Sequence, residues 1–182
     1  MVDLPPVVLH PDLISIESSE YAELLAWQFP DQYIHDLLAN DLPQRQLRRC
    51  CQIWRYRTLD GTVVGFGSLD FCSEHFQLFN NRTTEPSDVD RYYYVPVLAV
   101  NPHIKSCGYG TTIVNHLTDT VALIAEFTGI RPIVVLDVYV SNKRAINLYT
   151  RCQFSPIGPT FLDSERNNEE YIVMARNVAT TR

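Results

Sequence analysis

The stretch from Arg91 to Thr128 constrains this chain more than any other. A strand-like pattern, with Val95, Val97, Leu98 and Val100 behind three tyrosines, runs to Val100. A loop carrying Gly108 and Gly110 follows and opens directly into the strongest helical pattern in the sequence. That helix, Thr111 to Thr128, sets Ile113, Val114, Leu117, Val121, Ile124 and Phe127 at helical spacing and is ended by Gly129. Pro96 has no N–H for a ladder, so the strand ahead of the loop is expected to bulge or break there. Next, Ile133 to Val140 is a near-continuous β-branched run of buried-strand type, and Asn142 suits the cap of a helix running to about Cys152.

The flanking segments are simpler. Leu13, Ile14 and Ile16 fit an edge strand, and Ser18-Ser19-Glu20 offers a serine cap for a helix from Tyr21, with Leu24, Leu25 and Gln28 in phase until Pro30. A weaker helix, Asp31 to Leu42, places Tyr33, Leu37 and Leu38 on one side. Alternation over Cys51 to Leu59, the Asp60-Gly61 turn and renewed strand character over Thr62 to Phe71 make a β-hairpin. Cys72 to Asp90, with Asn80-Asn81 and Pro86, is a long polar loop. Phe154 to Leu162 and Glu170 to Arg176 are two closing strands around the turn Asp163 to Asn168.

Composition narrows the setting. With 182 residues, 46% of them hydrophobic and 20% charged, the chain can bury one core, so a single domain over 1–182 is expected. The net charge of −6 argues against the broad basic face that nucleic acid selects. Pro132 to Val140 is too short to span a bilayer, and Met1 to Pro6 lacks the basic flank of a leader, so no membrane is expected. Five cysteines, with Cys50-Cys51 adjacent and no Cys-x-x-Cys, point to neither a disulfide framework nor a metal site. The expected setting is reducing and cytoplasmic.

The loop Asn101-Pro102-His103-Ile104-Lys105-Ser106-Cys107-Gly108-Tyr109-Gly110-Thr111 carries the chemistry. Glycines let main chain approach a pyrophosphate, and the first helical turn presents N–H groups that have no partner within the helix. Each such bond to a charged oxygen is worth about 1.5–3 kcal/mol. A tight strand-to-helix turn would account for the same glycines. The loop lacks the Gly-Lys-Ser/Thr of a Walker loop and the third glycine of a dinucleotide fingerprint.

The spacing Val100-x-Pro102-x-x-Lys105-x-x-Gly108-x-Gly110 resembles the acyl-CoA loop of the GNAT superfamily of acetyltransferases, with Lys105 where Gln or Arg is usual. The second half of the resemblance is Val138-x-x-x-Asn142-x-x-Ala145-x-x-Leu148-Tyr149-x-x-x-x-Phe154, in which Gln153 stands where glycine is usual. These motifs occupy Leu98 to Phe154, and the order of elements extends the likeness over nearly the whole chain. The resemblance implies an α/β (α+β) GNAT fold, a mixed, twisted central sheet of about seven strands flanked by helices. It implies an acyl-CoA-dependent N-acyltransferase using acetyl-CoA or another acyl-CoA, with no metal and with a small-molecule or protein amine as acceptor.

By that resemblance, main-chain groups of Leu98, Ala99 and Val100 pair with the pantetheine arm. The amides of Lys105, Ser106, Cys107, Gly108, Tyr109, Gly110 and Thr111 hold the pyrophosphate, and Asn142 touches the donor as well as capping its helix. Lys105 equally suits a solvated surface. Tyr149 falls where many members place the acid that protonates the departing CoA thiolate, although packing one turn from Ala145 explains a tyrosine there too. A phenol with a reference pKa of ~10 is a proton donor at neutral pH. Tyr94, a candidate substrate contact, stands where certain members place a glutamate base; Glu74, His75 and Asp137 are alternative proton acceptors, each also compatible with a surface or structural role. Cys107 and Cys152 read as structural, because transfer in the family that the loop resembles generally goes directly from thioester to amine. A non-catalytic acyl-CoA sensor that keeps the cofactor groove is the competing reading, and the final strands could pair with a second copy as a homodimer.

Overall fold

The computed structural model describes residues 7–27, 29, 32–48, 50–71, 90–104, 108–128 and 131–178. The fold is mixed α/β, with eight strands among the described residues and both parallel and antiparallel pairing. The chain divides into two compact units: Met1–Leu69 with Val97–Val114, and Asp70–Pro96 with Asn115–Arg182.

In the first unit, β1 (His10–Ile14) pairs antiparallel with β2 (Cys51–Arg57), and β2 adjoins β3 (Val63–Asp70). The β2–β3 hairpin forms where Asp60-Gly61 predicts it: Thr58 N–H donates to Thr62 O at 3.0 Å and Thr62 N–H donates to Asp60 Oδ1 at 3.1 Å. Asp12 on β1 takes a two-pronged contact from Arg57, at 2.6 and 3.0 Å, which fixes the edge strand's register. Helix α1 (Ser19–Leu25) starts at Ser18, whose hydroxyl accepts from Tyr21 N–H at 3.2 Å. Tyr21, Leu24, Leu37, Leu38, Leu42, Ile53 and Phe66 form the core of this unit.

The second helical region runs past its expected end at Leu42. It comprises α2 (Gln32–Asp36), a π-helical segment (Leu37–Asp41) and α3 (Leu42–Leu47). Pro43 explains the change of register. In a continuous α-helix its ring would press on the carbonyl four residues back, so the preceding turn widens, and Leu42 N–H bonds to Leu37 O, five residues away. Gln28, Pro30 and Asp31 and the side chain of Tyr33 lie outside the described residues.

In the second unit, β4 (Asp90–Tyr94) is parallel to β6 (Arg131–Tyr139), β6 is antiparallel to β8 (Glu169–Asn177), and β8 is antiparallel to β7 (Ser155–Asp163) at the edge. Asp70, the last residue of β3, pairs with Tyr94. The run from Arg91 to Val100 is two strands rather than one: it stops at Tyr94 and resumes as β5 (Leu98–Val100) in the first unit, with Pro96 in the gap. That break raises the strand count from about seven to eight.

Helix α4 (Tyr109–Thr128) begins two residues before its expected start, and α5 (Lys143–Arg151) follows β6. Ile113, Val114, Leu117 and Val121 of α4 are buried as the spacing predicts, but Phe127 is 90% exposed. At 100° per residue Phe127 lies roughly 110° from the middle of the buried stripe, and Ala125 takes the inward position of that turn. Arg176 of β8 donates to Thr118 Oγ1 at 3.4 Å and to Cys152 O at 3.1 Å, tying both helices to the strand. Gly129 lies outside the described residues.

Candidate active site

The first unit holds β5, Asn101 to Ile104, Gly108 and the start of α4. β5 pairs antiparallel with β3 through Gly65↔Val100, Phe66↔Ala99 and Gly67↔Leu98, and among the described strands it has β3 alone as a neighbour. The approach is close: a Cβ on Gly65 would sit 2.8 Å from Ala99 O and 2.5 Å from Ile113 Cδ1. Val97 N–H donates to Ser68 Oγ at 3.1 Å and Ser68 N–H to Val97 O at 3.0 Å, so β5 is also fastened where it enters.

Beyond β5, Asn101 shapes the exit. Its N–H donates to Val64 O at 2.9 Å, its side-chain oxygen accepts from His103 N–H at 2.9 Å, and Ile104 N–H closes a turn on Asn101 O at 3.0 Å. Lys105, Ser106 and Cys107 lie outside the described residues. Gly108 has φ +78°, a conformation that costs a side-chain-bearing residue strain. Thr112 N–H is the first to bond a helical carbonyl, Gly108 O at 3.2 Å, so the amides of Tyr109, Gly110 and Thr111 come before the helix's own bonding begins. These amides lie at the positive end of a 20-residue helix, an environment that favours negative charge.

The second unit holds Tyr149, Asn142, Tyr94 and Asp137. Asn142 caps α5: its Oδ1 accepts from Ala145 N–H at 3.0 Å. One turn on, Tyr149 is 8% exposed, with its ring 6.0 Å from that of Phe154. Burial first, then Cys152 and Asp137, push its phenol up to about 12. It is therefore in its proton-donating form at any physiological pH. Gln153 adopts φ +67° beyond α5, and Phe154 N–H closes on Tyr149 O at 3.0 Å. The helix thus ends in the left-handed step that glycine normally takes. Cys50, Cys51 and Cys152 are buried and take part in no disulfide among the described residues.

Tyr94 is buried, and its hydroxyl donates to Asp137 Oδ2 at 2.7 Å. Sequence reading named both residues without joining them. The signal was present: a carboxylate inside a β-branched run is unfavourable in a strand unless something engages it. Glu74 and His75 lie outside the described residues. Among the described residues no helix is long and apolar enough to cross a membrane, and no group of acidic, histidine or cysteine side chains could hold a metal ion.

Comparison with known proteins identifies the fold and the family. No curated protein matches the chain by sequence. Among solved structures, the spermidine N-acetyltransferase of Vibrio cholerae in complex with CoA and spermine matches with a TM-score of 0.65 at 13% identity, covering 94% of this chain and 96% of that one. The IAA acetyltransferase of Bacillus cereus ATCC 14579 matches with a TM-score of 0.60 at 16% identity, over 93% and 99%. A mutant AtaT toxin bound to acetyl-CoA and the C-terminus of the antitoxin AtaR matches with a TM-score of 0.61 at 14% identity, over 94% of both. At these identities the likeness shows the shared fold. The acetyltransferase (GNAT) family model matches residues 14–154. With the motifs of its loop and of α5 inside that span, the chain belongs to the GNAT family of acetyltransferases and is an acyl-CoA-dependent N-acetyltransferase.

Proposed function

We propose that this enzyme transfers acetyl from acetyl-CoA to a primary amine by direct attack, with Tyr149 as the acid that protonates the leaving sulfur. The observation that carries the reading is Gly108 in its left-handed conformation feeding the first-turn amides of α4. The amides from Lys105 through Thr111 bind the diphosphate. The main chain of Leu98, Ala99 and Val100, with a strand neighbour on the β3 side alone among the described strands, binds the pantetheine arm. Asn142 contributes a further contact beside its capping role.

The acyl donor supplies a thioester whose carbon is open to attack; the amine nitrogen forms the new C–N bond and the C–S bond breaks with its electrons on sulfur. Tyr149 gives that sulfur its proton, and burial keeps the phenol from ionising beforehand. Acceptors of the spermine type, as in the Vibrio cholerae structure, suit a chain of net charge −6 in a general way. Residues 1–182 act as one domain in this proposal, because β3 and α4 each run through both compact units. The edge strand β7 would pair two copies in a homodimer, which sedimentation tests. Buried thiols outside any disulfide among the described residues fit a reducing cytoplasm.

Calorimetric titration with acetyl-CoA, together with thiol release on adding an amine panel, tests the proposal. Tyr149→Phe should cut kcat about 100-fold and leave the acetyl-CoA Kd within twofold. An unchanged rate removes the acid role, and binding without thiol release in the unaltered protein favours the sensor reading.

A further inference from the structure

Arg176 is the half-buried cation of the second unit that packing explains least. It sits on β8 two residues after Met174 and opposite Val134 of β6, both fully buried, and strand alternation turns all three side chains to one face. Among the described residues no carboxylate neutralises its guanidinium, and its Nε is buried without a hydrogen-bond partner. A charge held in such surroundings costs stability, and a leucine or methionine would fill the position without that cost. The value of the arginine therefore lies in what it donates to.

Its two acceptors define the task. Thr118 of α4 is buried and gives its own hydroxyl proton to Asn115 O at 2.9 Å, which leaves a lone pair to accept from Arg176 Nη1 at 3.4 Å. The same nitrogen donates to Cys152 O at 3.1 Å. Cys152 is the C-cap of α5, so the cation lies at the negative end of that helix and bonds a carbonyl that the helix itself does not engage.

Helix α5 needs such a clamp. Its nine residues are too few to hold a helix by propensity alone. Asn142 secures the entry, but the exit has no glycine, and Gln153 is held there at φ +67°, against the preference of a residue with a Cβ. Tyr149 is bound into that exit twice: its carbonyl accepts from Phe154 N–H at 3.0 Å, and its ring lies 6.0 Å from that of Phe154. A shift of Cys152 to Phe154 would carry the phenol with it. All of these residues belong to the second unit.

We propose that Arg176, anchored on Thr118, is a positioning residue that holds the strained exit of α5 and thereby fixes where the Tyr149 hydroxyl points. The inference rests on the acid role given to Tyr149 above and adds the residue that orients it. Burial, Cys152 and Asp137 are what raise the Tyr149 phenol, and the Arg176 charge is not among those causes, so its action is geometric.

The test uses the full-length protein, acetyl-CoA and spermine, with a wider amine panel if spermine is not turned over. Arg176→Met keeps the apolar stem and removes both bonds; it should lower kcat about tenfold and leave the acetyl-CoA Kd and the amine KM within about twofold. Arg176→Lys, which retains a donor for Cys152 O, should fall only about threefold below wild type. In the Tyr149→Phe background, Arg176→Met should change kcat by less than about twofold, because the hydroxyl it orients is gone. If Arg176→Met does not fold, Thr118→Val, which removes only the anchor, should show a loss of about threefold with the same dependence on Tyr149. Wild-type kcat in the folded variant overturns the inference. So does an equal loss with and without the Tyr149→Phe change, which is what a merely structural role gives. Wild-type turnover in Tyr149→Phe alone would instead remove the acid role, and no thiol from any amine would remove the transferase reading, each taking this inference with it.

Discussion

Gly65 offers the sharpest perturbation of the machinery that never touches a reacting group. An alanine Cβ at this position would meet Ala99 O at 2.8 Å and Ile113 Cδ1 at 2.5 Å. The two contacts differ in kind. Ile113 Cδ1 is the end of a side chain that can rotate away, but Ala99 O belongs to β5, whose ladder to β3 and bonds around Ser68 and Asn101 resist movement. A carbon–oxygen contact near ~3.3 Å requires β5 to retreat by roughly 0.5 Å, and overpacking of this order costs about 1–3 kcal/mol. For a chain of 182 residues that is a fall in Tm of about 2–12 °C. Since β5 is proposed to pair with the pantetheine arm, acetyl-CoA affinity should fall at least tenfold in the same variant. Differential scanning calorimetry and calorimetric titration read the two effects. Ile113→Val should rescue Gly65→Ala only slightly, because it relieves the softer clash. A Gly65→Ala protein with wild-type Tm and affinity would refute the close-approach reasoning, and a full rescue by Ile113→Val would show that the carbonyl is not what resists.

Two stability predictions follow from backbone and burial. Gln153→Gly should raise stability by about 1 kcal/mol, seen as a Tm increase of about 2–4 °C, because φ +67° strains a residue with a Cβ; a decrease would mean that the glutamine side chain contributes more than the strain removes. Stability should also fall at high pH through buried phenols. Tyr149, raised from about 10 to about 12, gives its full contribution below pH 10 and loses it as pH rises through 12, about 3 kcal/mol in all. Burial pushes Tyr21 and Tyr56 up further in the same direction. Absorbance titration of tyrosinate should therefore show a late group that ionises together with loss of the native circular dichroism, and a titration complete by pH 11 with the fold intact would contradict it.

The strand-loop-helix passage was legible because each step has a strong local cause: Pro96 breaks a ladder, Gly108 permits a left-handed turn, and Asn142 caps a helix. The π-helical segment before Pro43 was not legible, since the sequence shows only that a continuous helix is costly there and not which way the backbone relieves it. Phe127 fits a helical period as well as Ala125 does, and only the orientation of the packed stripe decides which faces inward. The pairing of Tyr94 with Asp137 joins strands 43 residues apart through a parallel register, β4 against β6, that no local pattern fixes. Hence the loop and the helix cap were visible from local motifs, while the Tyr94–Asp137 contact needed the register of the sheet.

Coenzyme A thiol formation, followed continuously with acetyl-CoA and an amine panel and matched by mass spectrometry of the amine, tests the central claim most directly. One thiol should appear for each acetyl group found on the amine, and none when either partner is omitted. Tight acetyl-CoA binding with no amine-dependent thiol from any member of the panel would contradict the assignment of transferase chemistry to this site.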